Sequence, residues 1–240
     1  IGFGGAFTQS AGIAYNSLKS DKQQELLDNY FSLDGLNYSI GRLPVGSCDF
    51  SDCSYSYSNK KDLSDFSIQK DKEYIFPLLQ SALNRRNLTL LSSPWTPPRF
   101  MKNTRMLCYG GKLLNNYKQT WADYLLKYIE AYQKEGIKID FINVQNEPDA
   151  VQRWESCIYS AEDEADFAVN YLYPTFIRNN ISTKILIWDH NKDKLFSRAN
   201  SELNNTKNQQ AISGISFHWY SGDHFENIKL THNFLPNKLL

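Results

Sequence analysis

The chain has 240 residues, enough for one sizeable core and a common length for an α/β barrel. Lys plus Arg and Asp plus Glu total 26 each, so no net field draws the protein toward nucleic acid or an anionic membrane. No stretch approaches the roughly 20 apolar residues of a membrane span, while 15 Tyr, 14 Phe and 5 Trp suit both packing and flat apolar ligands such as sugar rings.

Taken in chain order, GFGG at 2–5 has the wrong spacing for a nucleotide fingerprint and fits a turn or close packing. SDKQ at 20–23 has capping-box spacing and opens a helix over 20–32, with Leu26, Leu27, Tyr30 and Phe31 on one stripe. LNYSIGRLPV reads as a strand, a helix follows near 71–86, and LTLLSS is the next strand. Residues 117–135 give the clearest helix. There Trp121, Tyr124, Leu125, Tyr128, Ile129 and Tyr132 recur at helical spacing and Gly136 supplies the stop. The strand IDFINVQ comes next, then a helix from a capping box at Ser160 and Asp163 to about Arg178. KILIWD and AISGISFHWY complete the series. Helices between short, continuous apolar strands imply a parallel sheet buried on both faces.

The chain opens without an initiator Met or signal peptide and closes FLPNKLL, which reads as the first residues of another buried strand. Because a domain rarely stops one step into a strand, both ends are expected to be cuts in a longer protein. Cys48, Cys53, Cys108 and Cys157 lack metal-ligand spacing, and a Cys48–Cys53 bridge is conceivable in an oxidising compartment. Sequons stand at Asn37, Asn87, Asn180 and Asn204, with Asn37 in an expected strand and so a poor acceptor.

The strand ends separate an open doubly wound sheet from a closed barrel. Each strand terminates in residues unsuited to a core: Arg42, then Ser93-Pro94-Trp95, Asn146-Glu147, Asp189-His190 and His218-Trp219-Tyr220. In a (β/α)₈ TIM barrel all strand C-termini meet on one face, where the active site is built. Scattered polar endings then become one site. Glu147, held there among Trp and Tyr rings, is expected to be partly desolvated, with its pKa raised toward a proton donor's range. Glycoside hydrolysis needs a second carboxyl group across the scissile bond. His190, His218, His224 and His232 show no metal-ligand spacing, and no G-x-S-x-G elbow is present.

GFGGAFTQSAG, LPVGSCDFS, LLSSPWTPPRFMK, QNEP and FHWY, in this order and spacing, closely resemble the glucosylceramidases of glycoside hydrolase family 30. The resemblance covers essentially the whole chain. It implies that residues 1–240 are a partial TIM-barrel catalytic domain, lacking the eighth strand and a β-sandwich side domain. It also implies Glu147 as general acid/base and Asn146 as the contact to the sugar 2-hydroxyl. Asp49 and Trp95 match residues that bind glucose hydroxyls, while Arg42 and Tyr220 match residues near the nucleophile. His218 and Trp219 are expected to line the same pocket. The structural alternatives are that Asp49 caps a turn, Trp95 packs under a loop and Arg42 pairs with a structural acid.

By the same resemblance the nucleophile is a glutamate ending the seventh strand, a few residues past Leu240, so the chain as it stands is expected to be inactive. No cofactor or metal is implied. The implied substrate is a glycolipid, with lysosomal residence, a saposin-type activator and peripheral membrane contact. A relative cleaving a xyloside or β-1,6-glucan and a non-catalytic carbohydrate-binding relative are the rival readings. Trp154 stands where it would touch an aglycone or simply be buried.

Overall fold

Six strands, all parallel, stand side by side in sequence order in a computed structural model that describes residues 2–240. They are β1 (Gly4–Ala6), β2 (Ile40–Val45), β3 (Thr89–Pro94), β4 (Phe141–Asn143), β5 (Lys184–Asn191) and β6 (Ile212–His218). Between them run α1 (Gln9–Ser17), α2 (Ser20–Phe31), α3 (Gln69–Tyr74), α4 (Phe76–Arg85), α5 (Lys118–Lys134), α6 (Ala161–Phe167), α7 (Tyr173–Arg178), α8 (Leu195–Glu202) and α9 (Thr206–Ala211). After β6 comes α10 (Phe225–Phe234). Consecutive parallel staves joined by helices are the arrangement of a (β/α)₈ barrel wall. On the free side of β6, Leu239 makes one parallel bridge to Gly214. That places the closing residues where a seventh stave begins, as the apolar FLPNKLL sequence anticipates.

Helix α5 shows how sequence makes the core. All six residues of its expected stripe are buried, and Gly136 follows at φ +76°, a left-handed stop that glycine adopts without a Cβ penalty. The tyrosines are satisfied as well as buried. Tyr128 Oη lies 2.9 Å from Ser92 Oγ on β3, and Tyr132 Oη donates to Asp71 on α3 at 2.8 Å. Ser160 caps α6 by accepting from the Asp163 amide at 3.1 Å, and a single π-helical turn, Ala168–Leu172, joins α6 to α7.

Three expectations are corrected, and the conceivable Cys48–Cys53 bridge is not formed. The Ser20 capping box does not form. Ser20 is already inside α2, Lys19 occupies the cap without a side-chain bond, and Gln23 turns its amide to the Tyr15 carbonyl at 3.0 Å. On the α2 stripe only Leu27 and Phe31 are buried, while Tyr30 faces outward, stacked on Tyr38. Asn37 precedes β2 in a left-handed turn at φ +56°, outside any strand, whereas Asn87, Asn180 and Asn204 are exposed. Cys48 and Cys53 are both free. The buried Cys48 sulfur accepts from the Phe50 amide, and the exposed Cys53 sulfur faces Lys70 Nζ at 2.9 Å.

Candidate active site

The polar residues at and near the strand ends converge, as the parallel topology requires, although Arg42 sits inside β2 and not at its end. Arg42, Asp49, Trp95, Asn146, Glu147, His218 and Tyr220 line one cavity of about 410 Å³ at the C-terminal ends of the strands. Trp219 does not. Just past the end of β6, it is largely exposed and stacked on Tyr220, and it lines an adjoining cleft that shares Arg42, His218 and Tyr220 with the cavity.

Glu147 follows β4 with φ +50°, an uncommon conformation for a residue with a side chain. Its amide donates to the Asp189 carbonyl at 3.0 Å, which ties the turn after β4 to β5. Asp189 is itself displaced from the ladder. Trp188 pairs with Ser216 and His190 with Phe217, leaving Asp189 as the extra residue of a β-bulge, with left-handed backbone at Trp188 (φ +71°) and Asp189 (φ +43°). The bulge turns the buried Asp189 carboxylate across the barrel mouth. There it accepts from Arg42 Nη2 at 2.8 Å and lies 3.0 Å from His218 Nε2.

A connected network results. Arg42 Nη2 also donates to Asn146 Oδ1 at 2.7 Å, and its guanidinium lies 4.8 Å from the Trp95 ring centroid. His218 Nδ1 lies 3.3 Å from Glu147 Oε1, and Gln152 Nε2 donates to Glu147 Oε2 at 3.2 Å. Burial alone would raise the pKa of Asp189, but the Arg42 charge and the His218 bond hold the carboxyl well below the usual range. Burial works against a charged His218, yet its bonds to Asp189 and Glu147 lift the imidazole to about 9.

Glu147 departs from expectation. The His218 bond, with Gln152 adding to it, outweighs desolvation and places the carboxyl below its ordinary pKa rather than above it. Asp49 moves the other way, raised by burial and then by the nearby charge of Glu147. Glu147, His190 and His218 bring donor atoms within 4.8 Å of one another, which is close enough for a cation. Both ring nitrogens of His218 are already engaged by carboxylates, however, and only His190 Nδ1 is buried without a partner. The donor set therefore fits proton sharing better than metal ligation.

Residues 1–240 match the glycosyl hydrolase family 30 TIM-barrel domain over their whole length. The chain belongs to glycosyl hydrolase family 30. Its relatives include the putative glucosylceramidase 3 of Caenorhabditis elegans, 36% identical over 92% of this chain and 45% of that protein. The lysosomal acid glucosylceramidase of Mus musculus is 32% identical over 100% of this chain and 50% of that protein. Among solved structures, SrfJ from Salmonella typhimurium superposes with a TM-score of 0.96 at 40% identity, covering 99% of this chain and 54% of that one. The endo-β1,6-glucanase BT3312 superposes with a TM-score of 0.92 at 30% identity, covering 99% and 56%. The chain spans about half the length of the curated relatives it matches.

Asp189 and His190 were read from sequence only as a polar strand ending, without a role in this family 30 site, and Gln152 was not singled out. Asp189 is the acid that Arg42 needs, and its signal was a charged residue ending an apolar strand. His190 shares that signal. Gln152 lies on an irregular loop, where an amide carries no pattern by which to recognise it. Trp154, on the same loop, borders the cavity and is partly exposed.

Proposed function

We propose that the whole protein is a retaining β-glucosidase acting on glucosylceramide or a related glycolipid, with Glu147 as its general acid/base. The observation that carries this reading is the position of Glu147. It stands on the turn just after β4, inside a cavity shared with Asp49 and Trp95, with each carboxylate oxygen facing a donor, His218 or Gln152. In this reading Glu147 protonates the leaving oxygen and then takes a proton from the water that attacks the glycosyl-enzyme ester. Asp49 accepts from sugar hydroxyls, Trp95 offers an apolar face and one donor, Asn146 contacts the 2-hydroxyl, and Arg42 and Tyr220 stand close to the nucleophile.

Asp189 is engaged by Arg42 and His218 and is therefore a poor candidate for the nucleophile. The second carboxylate is assigned to a glutamate past Leu240, and the chain alone is inactive in this reading. Phe50, Trp154 and Tyr220 border the cavity with apolar surface suited to an aglycone. Lysosomal residence belongs to the same reading, supported by the name of the mouse relative. A saposin-type activator and peripheral membrane contact accompany it.

A second reading, hydrolysis of β-1,6-glucan, is favoured by the likeness to an endo-β1,6-glucanase at a TM-score of 0.92. The test uses the protein at its natural length. Rates on aryl β-glucosides, aryl β-xylosides and a β-1,6-glucan separate the substrates. Glu147→Gln should then slow substrates with poor leaving groups by about 10²–10⁴-fold, the range for general acid catalysis. Unchanged turnover of an alkyl glucoside by that variant would overturn the assignment.

A further inference from the structure

Arg198, on α8, is buried and lies outside the cavity lining, yet it touches the loop after Glu147 and the α6 carboxylate that holds the β5 bulge. Its Nη1 donates to Asp149 Oδ1 and to the Tyr159 carbonyl, both at 3.3 Å. These contacts grip both ends of the loop after Glu147. Asp149 is two residues beyond Glu147, and the Tyr159 amide returns to the Pro148 carbonyl at 3.0 Å. Nη2 donates to Glu164 Oε2 at 2.5 Å, and Glu164 Oε1 accepts the Trp188 amide at 3.0 Å. The guanidinium also lies 4.8 Å from the Trp188 ring centroid.

Trp188 opens the bulge whose next carbonyl, that of Asp189, holds the Glu147 amide. Left-handed backbone at Glu147, Trp188 and Asp189 costs free energy at each residue and persists only where the surroundings over-determine it. Arg198 and Glu164 supply that constraint from behind the site. A second buried carboxylate, Glu202, has Oε1 2.8 Å from Arg198 Nε without hydrogen-bond alignment. Burial raises the pKa of both carboxylates, and the neighbouring Glu164 charge pushes Glu202 further above the usual carboxylate range. Lysine could not replace this contact set, because one ammonium cannot reach separate acceptors on three segments as a planar fork does.

We propose that Arg198, acting through Asp149 and Glu164, is a positioning residue for Glu147, clamping the acid/base loop against the β5 bulge. This rests on the reading of Glu147 as general acid/base. A clamp of this kind affects proton delivery to the leaving group more than sugar binding. In the full-length protein, Arg198→Met should slow an alkyl β-glucoside by about 100-fold, the loss expected from roughly 1 Å of misplacement. A dinitrophenyl β-glucoside, whose leaving group needs no proton, should lose much less in kcat/KM, which reports formation of the glycosyl-enzyme and not its hydrolysis. Asp149→Asn, which weakens one arm of the clamp at a partly exposed position, should give a smaller split of the same kind, and it carries the test if Arg198→Met does not fold. Arg198→Lys should fail to restore the alkyl rate.

Equal losses on both substrates, or no loss on either, in folded variants would overturn the proposal, provided Glu147→Gln shows the split. If Glu147→Gln itself shows no split, the general acid/base reading fails instead.

Discussion

His218 Nδ1 lies 3.3 Å from Glu147 Oε1, so an imidazole lifted to about 9 faces a carboxyl held below its ordinary pKa. At neutral pH the two form an ion pair inside the cavity. His218→Gln removes the cation and destabilises the Glu147 anion, so the Glu147 pKa rises. The basic limb of the kcat/KM profile of the full-length protein should move to higher pH by about one unit, the low end for an opposite charge within ~4–6 Å. A limb that stays put or moves down would contradict the pairing.

The same imidazole carries a stability signature. Its folded pKa of about 9 lies above the ordinary 6.5, so its contribution is fully present below pH 6.5 and is lost as pH rises through about 9. Asp189 has the opposite sign. Its folded pKa is depressed, so its contribution is present above the ordinary 3.8 and declines progressively as pH falls below it. Asp189→Asn leaves Arg42 and His218 facing a neutral amide and should cost about 3 kcal/mol near pH 6, the low end for a broken buried pair. Arg42 is partly hydrated, which keeps the cost at that end. Urea midpoints at pH 6 and pH 3 should show the difference shrinking in acid.

Much of this was legible in the sequence because two periodicities are written plainly. The α5 stripe has helical spacing over three turns, and all six of its residues are buried. The apolar runs ending in Trp95, Asn146-Glu147 and His218 alternate with helices, which argues for parallel staves, and parallel staves bring their ends together. What was hidden depends on tertiary register. Nothing local says that β5 bulges at Asp189, because a bulge is defined by the neighbouring strand. The direction of the Glu147 pKa was misread for the same reason. Burial was foreseeable from aromatic composition, but the donors that outweigh it stand on β6 and on an irregular loop. Ser20 failed as a cap because the helix begins one residue early, a shift that spacing alone does not fix.

Asp71 predicts a third pH effect. It is fully buried on α3 and accepts from Tyr132 at 2.8 Å, from Tyr55 at 3.1 Å and from Tyr57. Burial dominates these bonds and lifts its pKa from 3.8 to about 6. Between those values the unfolded chain releases a proton that the folded chain keeps, so stability falls as pH rises from about 4 to about 6. The loss is roughly 3 kcal/mol at 1.36 kcal/mol per unit. Relative to wild type, Asp71→Asn should therefore be most costly near pH 4 and least costly at pH 7. Denaturant titrations at both values check this, and a pH-independent difference would contradict it.

Gly214 makes the last prediction. A Cβ built there would sit 2.6 Å from the Leu239 carbonyl oxygen and 2.7 Å from the Leu239 Cβ, distances that real Cβ atoms do not tolerate. Absence of a side chain is what lets the closing segment lie against β6. There the Ile215 amide donates to Leu239 at 2.9 Å and the Leu239 amide to Ser213 at 3.2 Å. The obstacle is backbone, which cannot swing aside as a flexible side chain can. Gly214→Ala should push the segment off the strand at a cost of about 1–3 kcal/mol, the range for overpacking. Hydrogen exchange locates the effect. Faster exchange at the Ile215 and Leu239 amides is expected, with amides in α5 unchanged because they lie elsewhere in the fold. If both amides keep their protection, Leu239 is not held by β6 and the seventh stave begins elsewhere.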